Sequence, residues 1–271
     1  MGKTKDLYES RIEAIRLVNK TSITAGDGLI KKDFKGKDRW ATSTTSRVFE
    51  FLEKCGIKTH FLKQDSPNSF LAIKCNMIPL EVVIRRKVGE KSSYLKRNPD
   101  VSAGTVFQEL VVEFFWKNDE LHDPIVKIKD GFCFIHDPKE PISDSSCLGK
   151  IEPLCSGAEI SRMTKTAKLV FSCLEEALAI NKITLEDLKI EFGRIAYGSD
   201  KRGKIILADV IDNDSWRIKL DERDLSKQLF RDRKDDRIVR SAYRIVAKIC
   251  EYLPQLAGEI KKKLRKKKAD K

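Results

Sequence analysis

Residues 187–192, Asp187-Leu188-Lys189-Ile190-Glu191-Phe192, alternate charged and apolar side chains without a break. On a β-strand that period puts Asp187, Lys189 and Glu191 on one face and Leu188, Ile190 and Phe192 on the other. Two carboxylates and an ammonium then crowd three successive positions of one face. A second strand-like run ends at Leu207-Ala208-Asp209, and Asp214-Ser215-Trp216-Arg217 follows. Between the two runs lies Gly198-Ser199-Asp200-Lys201-Arg202-Gly203, rich in turn residues. A hairpin centred near residue 200 sets Glu191 opposite Asp209. Directly opposed like charges destabilise a sheet unless something neutralises them. A hard cation would do so, since Mg²⁺ takes oxygen ligands, often one or two carboxylates plus substrate phosphates. The competing reading is a surface hairpin with two solvated strand ends.

Other residues could serve a phosphorylated ligand. Gly2-Lys3-Thr4-Lys5 is a small basic loop in which backbone and ammonium groups can approach phosphate. Arg85-Arg86 follows an apolar strand, where a guanidinium can clamp a phosphate or carboxylate bidentately. Residues 117–123 are polar between apolar stretches and suit a binding loop or an exposed turn. Arg217 and Asp214 suit either a site or a local salt bridge.

The elements that must hold these residues read as α+β. Residues 49–56 form a helix ending at Gly56. Residues 69–74, 80–85 and 110–115 are strands. Asn76-Met77-Ile78-Pro79 interrupts the first two and reads as a linker between lobes. Residues 137–158, rich in Pro, Ser and Gly, read as a surface loop. Apolar spacings of three and four make 159–181 a helix. Residues 224–268 are mostly helical, broken at Pro254. The division expected is an N-terminal lobe over 1–79, a second lobe over 80–260 and a basic tail over 261–271.

The 271 residues can bury a sizeable core. No apolar run is long enough to span a membrane, and no secretory signal is visible. Seven widely spaced cysteines without a C-x-x-C argue against a disulfide framework or a zinc site, and point to a reducing, cytoplasmic compartment. The formal charge is +13, and residues 261–271 hold eight basic residues and one acid, a net +7 of it. Such a tail suits nucleic acid or an anionic surface. Aromatics are not interleaved with it, as base stacking requires, so a solvated helix end is the preferred reading.

Taken together, these segments resemble the SAICAR synthetase (phosphoribosylaminoimidazole-succinocarboxamide synthase) family. The resemblance runs through Gly2-Lys3-Thr4-Lys5, Ile23-Thr24-Ala25-Gly26-Asp27-Gly28, Gly56-Ile57-Lys58-Thr59-His60-Phe61, Ile78–Arg86, Leu95-Lys96-Arg97-Asn98-Pro99, residues 113–119 and the hairpin. Residues 207–217 look most like the synthetase half of the animal bifunctional enzyme. The resemblance implies a two-lobed, ATP-grasp- or kinase-like fold of antiparallel sheets with flanking helices. It implies an ATP-dependent ligase that joins L-aspartate to carboxyaminoimidazole ribonucleotide, with Mg²⁺. By the same resemblance Lys3, Lys5, Glu81, Lys117, Asp123 and Lys189 bind ATP, and Glu191 and Asp209 hold the metal. Arg85, Ser93, Asp187, Asp214, Arg217, Lys227 and Arg231 bind the ribonucleotide and aspartate, with Lys189, Asp187 and Arg217 nearest the chemistry. No membrane or nucleic-acid partner is implied, and a homo-oligomer stays open. Three departures stand out. The chain starts at Met1-Gly2, without the family's preceding strand. The Asn-Lys pair of the family falls on Thr42-Ser43, and its Gly-Ser falls on Ser92-Ser93, where a Cβ opposes close backbone approach. A weakened paralogue and a basic RNA- or protein-binding module remain as alternatives.

Overall fold

The structure is a computed structural model that describes residues 4–11, 13–25, 29–129, 132–198 and 200–269. In chain order, the first elements are β1 (Lys5–Arg11), β2 (Ala14–Asn19), β3 (Ser22–Ala25), β4 (Ile30–Asp33), α1 (Lys37–Lys54), β5 (Phe61–Ser66) and β6 (Ser69–Ile73). Then come β7 (Cys75–Lys87), α2 (Tyr94–Arg97), β8 (Val106–Trp116), β9 (Ile125–Lys129), β10 (Phe132–His136) and β11 (Cys147–Ile151). The rest is α3 (Gly157–Ala179), β12 (Ile183–Ile195), β13 (Ile205–Ala208), β14 (Trp216–Leu220), β15 (Arg223–Asp224), α4 (Gln228–Arg231), α5 (Asp236–Cys250) and α6 (Leu253–Ala269).

Among the described residues the strands form three antiparallel sheets. A small one has the order β1-β2-β6-β5, and β3 pairs with β4. The large one runs β11-β10-β9-β8-β7-β12-β14-β15, with β13 also on β12. The long central pair β7–β12 carries most of the charged positions of interest. Its apolar faces, Ile78, Leu80, Val82 and Ile84 with Leu188, Ile190 and Phe192, are buried in one continuous core with Val170, Phe171 and Leu174 of α3. Glu186, Asp187 and Glu191 are buried as well, while Lys189 stays partly exposed, so the charged face of β12 is covered only in part.

Three expectations are corrected. The expected linker at 76–79 is part of β7, in which Ile78 is fully buried. Pro79 sits where the β7–β12 register shifts, a bulge that tolerates a residue without an N–H. The expected helix over 49–56 begins twelve residues earlier, at Lys37. Its first half buries Thr42, Thr44, Thr45 and Ser46, so an apolar periodicity does not reveal it. Thr42, one of the departures, takes a hydrogen bond from Asn19 Nδ2 at 2.7 Å and donates to the Asp38 carbonyl at 2.8 Å. The loop expected over 137–158 contains β11 and the start of α3, because main-chain pairing with β10 outweighs its loop-like composition.

Through Ala269 the basic tail is the end of α6, in line with the solvated helix end preferred from sequence. Lys263 and Lys267 both pair with Glu176 of α3, and Leu264 packs against the core. Pro254 is the second residue of α6, a position where its missing N–H leaves no bond unmade. Among the described residues no helix is long and apolar enough to cross a membrane, and all seven cysteines are free.

Candidate active site

The register of β12 against its neighbours decides which charges meet. The hairpin pairs Glu191 with Ala208, not Asp209, because its turn is centred half a residue earlier than expected. Asp209 lies just beyond β13 in the left-handed region, φ 64°. The like charge directly opposite Glu191 is instead Glu81 on β7. Four residues along the same pair, Asp187 faces Arg85 on β7 and Arg217 on β14. Alternation along β7 and β12 thus builds an acidic end and an arginine end on one face.

Lysines neutralise the acidic end. Lys117 Nζ donates to both carboxylate oxygens of Glu191 at 2.8 Å. Lys189 pairs with Glu81, and Lys5 pairs with Asp209. Burial and then the neighbouring Asp209 push the Glu191 carboxyl up. Burial works the same way on Asp209, yet Lys5 and Lys117 hold it net below the ordinary range. Burial lowers Lys189 and Lys117, but Glu81 and Glu191 respectively outweigh it and keep both ammonium groups charged. Asp123, raised by burial and by Glu81, accepts from the Asn118 N–H at 2.9 Å. Lys3 lies outside the described residues.

His60 sets the backbone of Asp209. Its Nε2 is 2.9 Å from the Asp209 carbonyl oxygen, and its own N–H donates to the Leu207 carbonyl at 2.8 Å. Burial lowers its pKa to about 4, so the ring is neutral near pH 7 and Nε2 must carry the proton it donates. Phe49 and Phe70 pack edge-on against it.

The arginine end is a continuous buried chain of charges. Arg85 donates through Nε to Glu113 at 2.9 Å and through Nη1 to Asp187 at 2.8 Å and the Ser92 hydroxyl at 3.2 Å. Arg217 joins the same Asp187 oxygen. Glu113 also accepts from Arg97 Nη2 at 2.8 Å. Ser92 therefore supplies an acceptor where a glycine was expected. The close backbone approach falls instead on Gly89, where a Cβ would stand 3.2 Å from Glu186 Oε2 and 3.6 Å from Arg217 Cδ. Ser93 is exposed beside this chain. A cleft of about 250 Å³ joins the two ends, with Glu81 and Asp123 at one side and Arg85 and Ser93 at the other.

The segment 209–215 leaves the sheet where Lys189 N–H donates to the Ser215 carbonyl at 2.7 Å. Asp212 caps it, accepting from the Asp214 N–H at 2.8 Å, while Thr45 of α1 donates to the Ile211 carbonyl at 3.2 Å. Asp214 receives the Tyr243 hydroxyl and stands 3.5 Å from both Lys37 and Lys227. Burial raises Asp214, but Lys37 and Lys227 pull it well below the usual carboxylate range. Burial and Asp214 push Asp212 up to about 6. Burial lowers Lys227 despite Asp214. Arg231, at the end of α4, lies within electrostatic reach of Arg217, Asp214 and Asp187.

The described residues expected from sequence therefore gather around one strand pair and the segment beyond β13. Sequence reasoning missed Lys37, His60, Arg97, Glu113, Asp212 and Tyr243 as parts of it. Lys37 opens a helix that apolar spacing hid, and Tyr243 lies on the buried stripe of α5. His60, Arg97 and Glu113 fall inside segments that carry the family resemblance, but no local pattern marks any of the three as a site residue.

The profile of the SAICAR synthetase family matches residues 1–247. The Chloroflexus aggregans phosphoribosylaminoimidazole-succinocarboxamide synthase is 40% identical over 258 residues, 92% of each chain. The Dictyostelium discoideum bifunctional purine synthesis protein purC/E is 42% identical over 219 residues, which is 80% of this chain but only 20% of that larger protein. A solved SAICAR synthetase (Type-2) in complex with ADP superposes with a TM-score of 0.75 at 32% identity, over 92% of this chain and 96% of that one.

Proposed function

The chain belongs to the SAICAR synthetase family, and we propose that it is the ATP-dependent ligase that joins L-aspartate to carboxyaminoimidazole ribonucleotide, giving SAICAR, ADP and phosphate. The observation that carries this reading is the β7–β12 pair, which sets a lysine-and-carboxylate end beside an arginine end across one cleft. Joining an amine to a carboxylate requires that the carboxylate lose an oxygen. Phosphorylation by ATP converts that oxygen into a leaving group, the aspartate amine attacks the acyl carbon, and phosphate departs.

The protein's part is to hold three anionic molecules together and neutralise charge at the transferring phosphoryl group. We assign Lys3, Lys5, Lys117 and Lys189 to the ATP phosphates, and Glu81 and Asp123 to the nucleotide. Arg85 and Ser93 bind the ribonucleotide. Asp187 orients Arg217 toward the reacting carboxylate, while Asp214 from the segment beyond β13 and Lys227 and Arg231 at α4 engage the substrates. Lys37 and Tyr243 hold the Asp214 carboxylate in place. The nucleotide sits between the small sheet β1-β2-β6-β5 and the large sheet that begins with β7.

Glu191 and Asp209 fit a hard cation. They are oxygen donors, close enough that Asp209 raises the Glu191 carboxyl, and each is compensated by a lysine that can re-pair with phosphate. Mg²⁺ shared with ATP oxygens needs no more than two carboxylates from the protein. Bound there, it would neutralise charge on the transferring phosphoryl group. We place the reaction in the cytoplasm, in keeping with seven free cysteines.

The test is to mix the pure protein with ATP, Mg²⁺, L-aspartate and carboxyaminoimidazole ribonucleotide and follow ADP and product. ADP release that requires every component supports the ligase. Mg-ATP binding without turnover under these conditions overturns it.

A further inference from the structure

Arg97 lies outside the cleft lining, yet it grips much of one wall. Its side chain is fully buried at the end of α2. Nη1 donates to the Pro138 carbonyl at 2.6 Å, to the Ser93 hydroxyl at 3.2 Å and to the Ser93 carbonyl at 3.3 Å. The guanidinium lies 5.1 Å from the centre of the Phe115 ring. Ser93, Pro138 and Phe115 all line the cleft. Nη2 holds Glu113, whose second oxygen fixes Arg85, a fourth lining residue. Both arginines also stack against Tyr94. A planar fork presents its donors from separate nitrogens in fixed directions, so it spans a carbonyl, a hydroxyl and a carboxylate that an ammonium would have to reach from a single nitrogen.

The opposite wall has other anchors. Glu81 is held by Lys189, and Asp123 by the backbone of Asn118. Removing the Arg97 fork would therefore loosen one wall and leave the other in place.

We propose that Arg97 is a positioning residue for the ribonucleotide half of the cleft. It fixes Ser93 directly and Arg85 through Glu113, and so sets the distance between two ligand-binding groups that arrive from different elements. This rests on the assignment of Arg85 and Ser93 to the imidazole ribonucleotide above.

Arg97→Lys keeps the buried charge but loses the fork. In a steady-state assay its KM for carboxyaminoimidazole ribonucleotide should rise about tenfold or more, while KM for ATP and kcat stay within about twofold. The double variant Arg97→Gln/Glu113→Gln removes both charges together, avoids a buried unpaired carboxylate, and should show the same selective rise. Circular dichroism melting confirms that each variant is folded. An equal rise in both KM values, or an unchanged KM for the ribonucleotide in both folded variants, overturns the proposal while leaving the ligase assignment intact. Wild-type protein that makes no product in the same assay overturns the ligase assignment itself, and the role of Arg97 with it.

Discussion

The two ends of the β7–β12 pair neutralise their carboxylates in different ways. At the arginine end, Asp187 and Glu113 are each shared by two guanidinium groups, and the side chains of Arg85 and Arg97 are 4% and 0% exposed. At the acidic end, Glu191, Glu81 and Asp209 each hold one lysine, and Lys117 and Lys189 are 43% and 40% exposed. A guanidinium fork fixes direction, whereas an ammonium on a flexible stem is a point charge that can change partners. The first end is suited to recognising a rigid substrate carboxylate or phosphate. The second is suited to chemistry in which charge moves, because its lysines can pass from carboxylate to phosphate without leaving the site.

The sharpest way to break this contrast is at the acidic end. Glu191→Ala should reduce Mg²⁺-dependent turnover by at least about a hundredfold while leaving the melting temperature near that of the wild type. A normal rate in that variant would remove Glu191 from metal binding. Asp187→Asn tests the arginine end through stability. It leaves the buried Arg85 and the partly buried Arg217 without their shared charge and should cost about 3–5 kcal/mol in urea unfolding. Lys117→Met, at a pair whose lysine is 43% exposed although Glu191 is buried, should cost less, about 1–3 kcal/mol. Equal losses in these two variants would erase the distinction between fixed and exchangeable charge.

Solution pH probes the segment beyond β13, which adjoins the acidic end. His60 is depressed from 6.5 to about 4, so between these values the unfolded chain binds a proton that the native state refuses. Stability should fall as pH drops through that window, by about 3 kcal/mol in all, and His60→Gln should remove the slope. Asp212 has the opposite sign. Its folded value of about 6 lies above the ordinary 3.8, so it favours the native state at low pH and loses that contribution as pH rises through 6. Asp212→Asn should therefore raise stability by up to about 3 kcal/mol near pH 7.5 and change little near pH 4. Urea titrations of the variants at the two pH values decide both. The smallest effect belongs to α6, where Lys267→Ala should cost no more than about 0.5 kcal/mol because its pairing with Glu176 is half solvated.

Much of this site was legible because strands impose a period of two. Asp187, Lys189 and Glu191 announced one face of β12, and the structure puts them there. The same rule could not fix pairing to within a residue. The turn after Ile195 is set by hydrogen bonds from Gly203 and Ile195 that composition does not reveal, so a turn centred by composition matches Glu191 with Asp209 instead of Ala208. The residues that sequence reasoning missed arrive through tertiary packing. Lys37 enters from α1 and Tyr243 from α5, some two hundred residues apart in the chain, and neither sits in a local pattern that marks it as polar machinery. Asn76–Pro79 was misread for the opposite reason. Its composition suggests a break, but a bulge and a buried Ile78 carry the strand through it.

The β7–β12 pair also acts as a ruler. Glu81 and Arg85 are four residues apart on one strand, as are Glu191 and Asp187 on its partner, which at roughly 3.3 Å per residue separates the two charged ends by about 13 Å. Deleting or inserting one residue between them would change that length only slightly. It would also turn one end toward the apolar core, because successive side chains point to opposite faces. Length changes should therefore be tolerated in the 196–204 turn and excluded from 81–85 and 187–191. The spacing between the two charged ends is written into backbone geometry, and substitutions of individual side chains can alter affinity without altering that distance.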